Sequence, residues 1–83
     1  MADITLTTGS PSYEFTGLVE GGFYAVIHNG GVKVEEEVAE GDPAVIYIGG
    51  GGGKFLIPVL SGTKLKVTLA GSASTKIRLT KSA

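Results

Sequence analysis

The sequence predicts an all-β fold, a small antiparallel β-sandwich or jelly-roll-like barrel of seven or eight short strands. Three observations predict it. Apolar residues recur at every second position along almost the whole chain, which is the period of a strand with one buried face. These runs are short, and clusters of Gly, Pro, Asn, Asp and Ser separate them, as turn chemistry requires. At 83 residues the chain suffices for one domain and not for two.

The elements follow in order. Ile4 and Leu6 alternate with threonines in a first strand, and Tyr13 and Phe15 mark a second after Gly9-Ser10-Pro11-Ser12. In a third, Phe23, Ala25 and Ile27 share one face and Tyr24, Val26 and His28 the other, because successive side chains point to opposite sides of a strand. Asn29-Gly30 then predicts a two-residue hairpin of type I′, whose central residues both need positive φ. Val32, Val34 and Val38 share a face of a fourth strand. The glutamates of residues 33–40 favour helix, and Val34 with Val38 fits an i,i+4 face as well. Eight residues without a wider apolar stripe make a marginal helix, so the stretch reads as a strand.

Gly41-Asp42-Pro43 opens a fifth strand with Ala44, Ile46 and Ile48 on one face. The five glycines Gly49–Gly53 form a hairpin loop into a sixth, where Phe55, Ile57 and Val59 share a face. Gly21-Gly22, Ser61-Gly62 and Gly71-Ser72 break the remaining runs. Leu65, Val67 and Leu69 alternate with Lys64, Lys66 and Thr68 in a seventh strand, and Ile77 and Leu79 with Lys76, Arg78 and Thr80 in an eighth. Residues 1–12 form an N-terminal arm or first strand, and residues 13–83 the sandwich domain.

Composition narrows the function classes. A domain this small buries a modest share of its surface and usually needs a disulfide, a metal or self-association to supplement its core. The chain has no cysteine and one histidine, which excludes a disulfide framework and leaves no ligand set for structural zinc. Oligomerisation is the expected supplement. The N-terminus lacks the basic and apolar segments of a secretory signal, and the uncharged stretch 43–53 is nearly half glycine and too short to cross a bilayer. Synthesis in the cytoplasm, without membrane association, is expected.

The net charge of −1 conceals a division. Residues 1–42 hold all eight acids and one base, Lys33, while residues 43–83 hold six bases and no acid. Acidic and basic strands can neutralise each other within one sheet. Alternatively each subunit presents an acidic and a basic face that meet across copies. Lys64, Lys66, Lys76, Arg78, Glu35 and Glu37 are the candidate contacts for an oligomer or a larger partner, with the four bases forming a stripe on two neighbouring strands.

No motif supports catalysis. Gly49–Gly53 with Lys54 fails as a phosphate loop, because Ile48 stands where the first glycine belongs, Phe55 follows the lysine, and a strand follows instead of a helix. His28 has no nucleophile or orienting carboxylate set out around it and reads as a turn-flanking residue on a solvated face. Glu35-Glu36-Glu37, Glu40 and Asp42 lack the oxygen spacing of a calcium loop, since alternate strand residues face opposite ways. Specific nucleic-acid binding would need aromatics among the bases, and none lies there. Tyr13, Tyr24, Tyr47 and Phe55 are the sole candidates for a carbohydrate or peptide platform in a monomeric ligand-binding module. The expectation is a non-enzyme with no cofactor and no metal.

Three segments carry a family resemblance. Met1-Ala2-Asp3-Ile4-Thr5-Leu6-Thr7 is the first, and Leu18-Val19-Glu20-Gly21-Gly22-Phe23-Tyr24 the second. The third runs from Phe55-Leu56-Ile57-Pro58 through Ser61-Gly62 to Val67-Thr68-Leu69, with Ile77-Arg78-Leu79 closing the sheet. Together they resemble the small β-rich virion proteins of tailed bacteriophages, of the capsid decoration or cement type. The resemblance implies a virion structural protein on the capsid surface. Such a protein stabilises the head by binding the major capsid protein as a homo-oligomer, a trimer, and no catalytic residue transfers. Head–tail joining or tail proteins are the neighbouring alternative. A small cysteine-free domain gains stability from symmetric contacts, and an arm at 1–12 would add a strand to a neighbour's edge. On that reading, deletion of Met1–Ser10 leaves the sandwich folded.

Overall fold

The computed structural model describes residues 3–16, 23–37, 41–58 and 64–82. These residues form eight strands and no helix: β1 (Ile4–Thr7), β2 (Ser12–Phe15), β3 (Phe23–His28), β4 (Val32–Glu37), β5 (Pro43–Gly49), β6 (Gly53–Pro58), β7 (Lys64–Leu69) and β8 (Ser74–Ser82). They make two four-stranded antiparallel sheets, a first of order β1-β8-β3-β6 and a second of order β2-β7-β4-β5. Four of the pairings are nested, β1 with β8, β2 with β7, β3 with β6 and β4 with β5, as in one long hairpin. Two more, β3 with β8 and β4 with β7, roll that hairpin into a sandwich. This nested, rolled hairpin is jelly-roll topology.

The topology explains the charge division. Every one of the six pairings joins a strand of β1–β4 to a strand of β5–β8. The boundary between the acidic and basic parts of the sequence, at 42/43, falls at the midpoint of the rolled hairpin. Folding therefore interleaves the two charge signs, as the within-sheet reading has it, and opposite charges facing across a ladder stabilise it modestly.

The core lies between the sheets, built by the alternate residues of each strand. Leu6, Val26, Ile77 and Leu79 from the first sheet meet Val32, Val34, Leu65 and Val67 from the second, all almost fully removed from water. Each such side chain contributes roughly 1.5–3 kcal/mol by burial. Leu6 holds β1 in this core, so residues 4–7 are the edge strand of their own sheet and not an arm held out to a neighbour.

Three sequence expectations are corrected. Asn29-Gly30 does not close a hairpin: β3 and β4 lie in opposite sheets, and no described residue other than glycine has positive φ, so type I′ geometry is absent there. The Asn29 side chain accepts the Lys76 amide (2.8 Å) and its backbone donates to the Lys76 carbonyl (3.2 Å), which arches the chain over β8. Gly49–Gly53 likewise joins β5 to β6 across the sandwich. Only β4 and β5, among consecutive strands, are neighbours in one sheet, around a turn in which Gly41 has φ +81°. Finally, the register of β4 on β5 slips between Val34 and Glu35, where β5 carries one extra residue, Ile46. This bulge breaks the expected alternation, so Ile46 packs on the core while Ile48 faces water. Residues 33–37 are strand, as read. Val38, Val59, the breaks at Gly21-Gly22 and Ser61-Gly62, and most of the second resemblance segment lie outside the described residues.

Candidate docking surface

The outer face of the first sheet carries side chains that a solvent-facing sheet surface does not need. Phe23 and Ile27 on β3 and Leu56 on β6 are 50%, 39% and 56% exposed. Register brings them together: Phe23 lies opposite Pro58, Ala25 opposite Leu56, and Ile27 opposite Lys54 on one side and Arg78 on the other. The result is an apolar surface bordered by Lys54, Lys76 and Arg78. β3 is apolar on both faces because its inner residues, Tyr24 and Val26, fill the core while Phe23, Ala25 and Ile27 cover the outside. Apolar groups clustered in this way on a soluble domain mark interaction sites.

The charge on this face is unbalanced. Among the described residues its one acid is Asp3, and Asp3 is committed: Arg78 Nε donates to Oδ1 at 2.6 Å and Nη2 to Oδ2 at 3.2 Å. The Arg78 hydrogen bond holds the Asp3 carboxyl below its usual range, and Asp3 in turn holds the guanidinium more firmly protonated. Lys76 and Asn29 complete the rim of an open hollow of about 240 Å³ beside this pair.

The outer face of the second sheet is different. Lys66 on β7 stands between Glu14 on β2 and Glu35 on β4, and Lys64 stands opposite Glu37. Lys33 Nζ also approaches Glu35 Oε1 at 3.8 Å. Here the bases and acids neutralise one another within the sheet. The margin of this sheet, strand β5, again exposes apolar residues, Val45 at 51% and Ile48 at 68%.

The six candidate contacts therefore separate. Lys64, Lys66, Glu35 and Glu37 share the balanced second sheet, and Lys76 and Arg78 sit on the first. The expected basic stripe along two neighbouring strands does not form, because β7 and β8 are in opposite sheets. Phe23, Ile27 and Leu56 escaped the sequence reading. The signal for them was a strand, residues 23–28, apolar on both faces in a fold where a sheet has only one face to bury.

His28 is also placed differently from expectation: it is 3% exposed, on the inner face of β3. Its Nδ1 lies 2.9 Å from the Gly30 carbonyl oxygen, which can only accept, so Nδ1 carries the proton. In the neutral ring Nε2 is then the acceptor for the Tyr47 hydroxyl, 2.8 Å away on β5 in the other sheet. Tyr47 stacks on Phe55 with ring centroids 4.5 Å apart. A side chain at Gly49 would put its Cβ 2.7 Å from both the imidazole Cε1 and the Tyr47 hydroxyl, so glycine makes the room. Beside this cluster, Gly31 donates to Ser72 Oγ (3.0 Å) and accepts from the Ala70 amide (3.1 Å) and from Thr75 Oγ1 (3.2 Å). Nε2 ties β3 to β5 across the sheets while Nδ1 holds the arch that follows β3, so the geometry is that of a buried staple between sheets. Among the described residues no group of three or more His, Asp or Glu side chains gathers in a metal-ligating arrangement. Compared with protein-family models, with curated proteins and with solved structures, the chain matches none.

Proposed function

We propose that this chain is a virion structural protein of a tailed bacteriophage, a capsid decoration (cement) protein that binds the outer surface of the head as a homotrimer and stabilises it. The observation that carries the reading is the uncovered outer face of the first sheet, with Phe23, Ile27 and Leu56 inside a rim of Lys54, Lys76 and Arg78. Covering such a face removes apolar surface from water at about 25 cal/mol per Å² before association entropy is set against it. One small subunit gains little in this way, and many copies bound side by side on a shell gain a great deal. The resemblance of residues 1–7, 18–24 and 55–69 to decoration proteins supplies the identity of the larger body.

Cryo-electron microscopy of the parent particle tests the proposal. The expected result is an eight-stranded jelly roll in density on the outer head surface, with the face bearing Leu56 in contact. Density for the chain in the tail or at the neck alone would replace decoration with a tail or head–tail joining role.

A further inference from the structure

The outer face of the first sheet is sorted along the strand direction. Register sets its side chains in rows across the sheet. Phe23 stands with Pro58, and Ala25 with Leu56 and Thr80, so one end is apolar. Ile27 stands between Lys54 and Arg78, and beyond it Asn29 lies beside Lys76, so the other end is cationic. At about 3.3 Å per residue, the run from Phe23 to Asn29 covers about 20 Å.

The cations have capacity to spare. Among the described residues Lys54 and Lys76 form no ion pair, and the one ion pair on this face joins Asp3 to Arg78. Arg78 spends Nε and Nη2 on Asp3, and its Nη1 has no partner among the described residues. The second sheet is the opposite case, since Lys64 and Lys66 each stand opposite glutamates across the ladder. The open hollow lies at the cationic end, where Lys76, Arg78 and Asn29 line it.

We infer that the surface docked on this face is a protein surface with carboxylates beside an apolar patch. Its aspartate or glutamate side chains meet Lys54, Lys76 and Arg78, and its apolar side chains cover Phe23 and Leu56. This rests on reading the face as the head-binding surface, and it gives the chemistry of the footprint on the capsid. Charge complementarity selects it, because a neutral or basic surface would leave these cations covered without partners. A second copy of the same face would set cation against cation. Nucleic acid fits less well: no Phe, Tyr or Trp lies among the three cations for a base to stack on, and a phosphate backbone offers the apolar end nothing.

Co-sedimentation of the full chain with undecorated heads of the parent particle, across a salt series, tests the inference. Wild-type binding is expected to weaken about tenfold or more from low to high salt, as screened charge pairs do. Lys54→Glu and Lys76→Glu each weaken it about tenfold at low salt and draw level with wild type at high salt. Leu56→Ser weakens it at every salt concentration. Circular dichroism establishes that each variant folds. Binding that ignores salt and both lysine reversals, but falls with Leu56→Ser, overturns the acidic footprint and keeps the docking reading. A chain that binds no heads ends the head reading, and amide shifts of the isotope-labelled chain then decide the chemistry alone. A peptide with glutamates beside leucines is expected to move residues 25–29, 54–56 and 76–78, and its glutamine counterpart is not. Shifts from neither peptide, or from both alike, overturn the inference. So does a single-stranded oligonucleotide that moves the same residues at lower concentration than the acidic peptide.

Discussion

His28 Nε2 and the Tyr47 hydroxyl meet at 2.8 Å across the gap between the two sheets, joining β3 to β5 inside the sandwich. Tyr47→Phe keeps the ring and its stacking on Phe55 but leaves Nε2 buried without its donor. An unsatisfied buried acceptor costs about 1–3 kcal/mol. In a domain of this size that lowers Tm by roughly 4–8 °C per kcal/mol. Thermal unfolding of the two proteins side by side measures it, and an unchanged midpoint would show that the bond contributes nothing.

The glycines of the arch are not equivalent. Gly49→Ala drives a methyl into His28 and Tyr47 and destabilises the fold, whereas Gly50→Ala and Gly51→Ala meet nothing within 4 Å. The latter two remove backbone freedom from the unfolded chain and raise stability by about 0.4–1 kcal/mol each where the backbone is compatible. Gly31→Ala is the severe case, since its Cβ would overlap the Ala70 carbonyl, which is backbone and cannot step aside. Urea midpoints ranked Gly50→Ala, wild type, Gly49→Ala, Gly31→Ala are expected.

The strands themselves were legible because a sheet with one buried face writes its period directly into the sequence. Ile4 with Leu6, Leu65 with Val67 and Ile77 with Leu79 all point inward as their alternation implies. What local pattern does not contain is which sheet a strand joins. Asn29-Gly30 has hairpin chemistry, yet the pairing of β3 with β8 and β6 is set by long-range contacts, and the turn residues serve an arch instead. The same ignorance of partners put His28 on a solvated face and grouped Lys66 with Arg78. The division of charge at 42/43 did hold topological information, because it coincides with the fold of the long hairpin. Of the two arrangements it suggested, the within-sheet one is seen in the neutralised ladders of the second sheet.

The Asp3–Arg78 pair gives stability a pH dependence at the acid end. The Asp3 carboxyl titrates below its ordinary value of 3.8 in the folded chain, chiefly through the hydrogen bond from Arg78. The unfolded chain then binds more protons than the folded one near that value, so the contribution is complete above about pH 4 and is lost as pH falls through the folded value. Asp3→Asn is therefore less stable than wild type at pH 7, and the difference closes as pH falls from there through the lowered Asp3 value. Urea unfolding of both proteins across that range checks it. A gap that widens on acidification would contradict the pairing.

Truncation of the N-terminus acts on the fold. Deleting residues 1–10 removes β1, exposes one edge of β8 and takes Leu6 out of the core. Loss of a buried leucine alone costs about 2–5 kcal/mol, against a total of roughly 4–12 kcal/mol for a chain of this length. The truncated chain is expected to be largely unfolded or aggregated at 25 °C by circular dichroism and light scattering. A truncated chain with native near-ultraviolet dichroism would show that β1 is dispensable.

Reversal of Lys64 and Lys66 separates the two sheets' roles. Lys66 lies between Glu14 and Glu35, and Lys64 opposite Glu37, so Lys64→Glu with Lys66→Glu turns three favourable cross-strand pairs into repulsive ones. Each pair is worth about 0.2–1 kcal/mol and is solvent-exposed, giving a loss of roughly 1–2 kcal/mol at low salt that shrinks as salt screens it. The effect falls on folding, because these residues are away from Phe23, Ile27 and Leu56. Where the variant is folded, its binding to undecorated heads should match wild type, whereas Lys54→Glu should reduce binding and leave the unfolding midpoint nearly unchanged. Equal loss of binding in both variants would mean that the second sheet's outer face is also a contact, and that its charge ladders serve a neighbour as well as the fold.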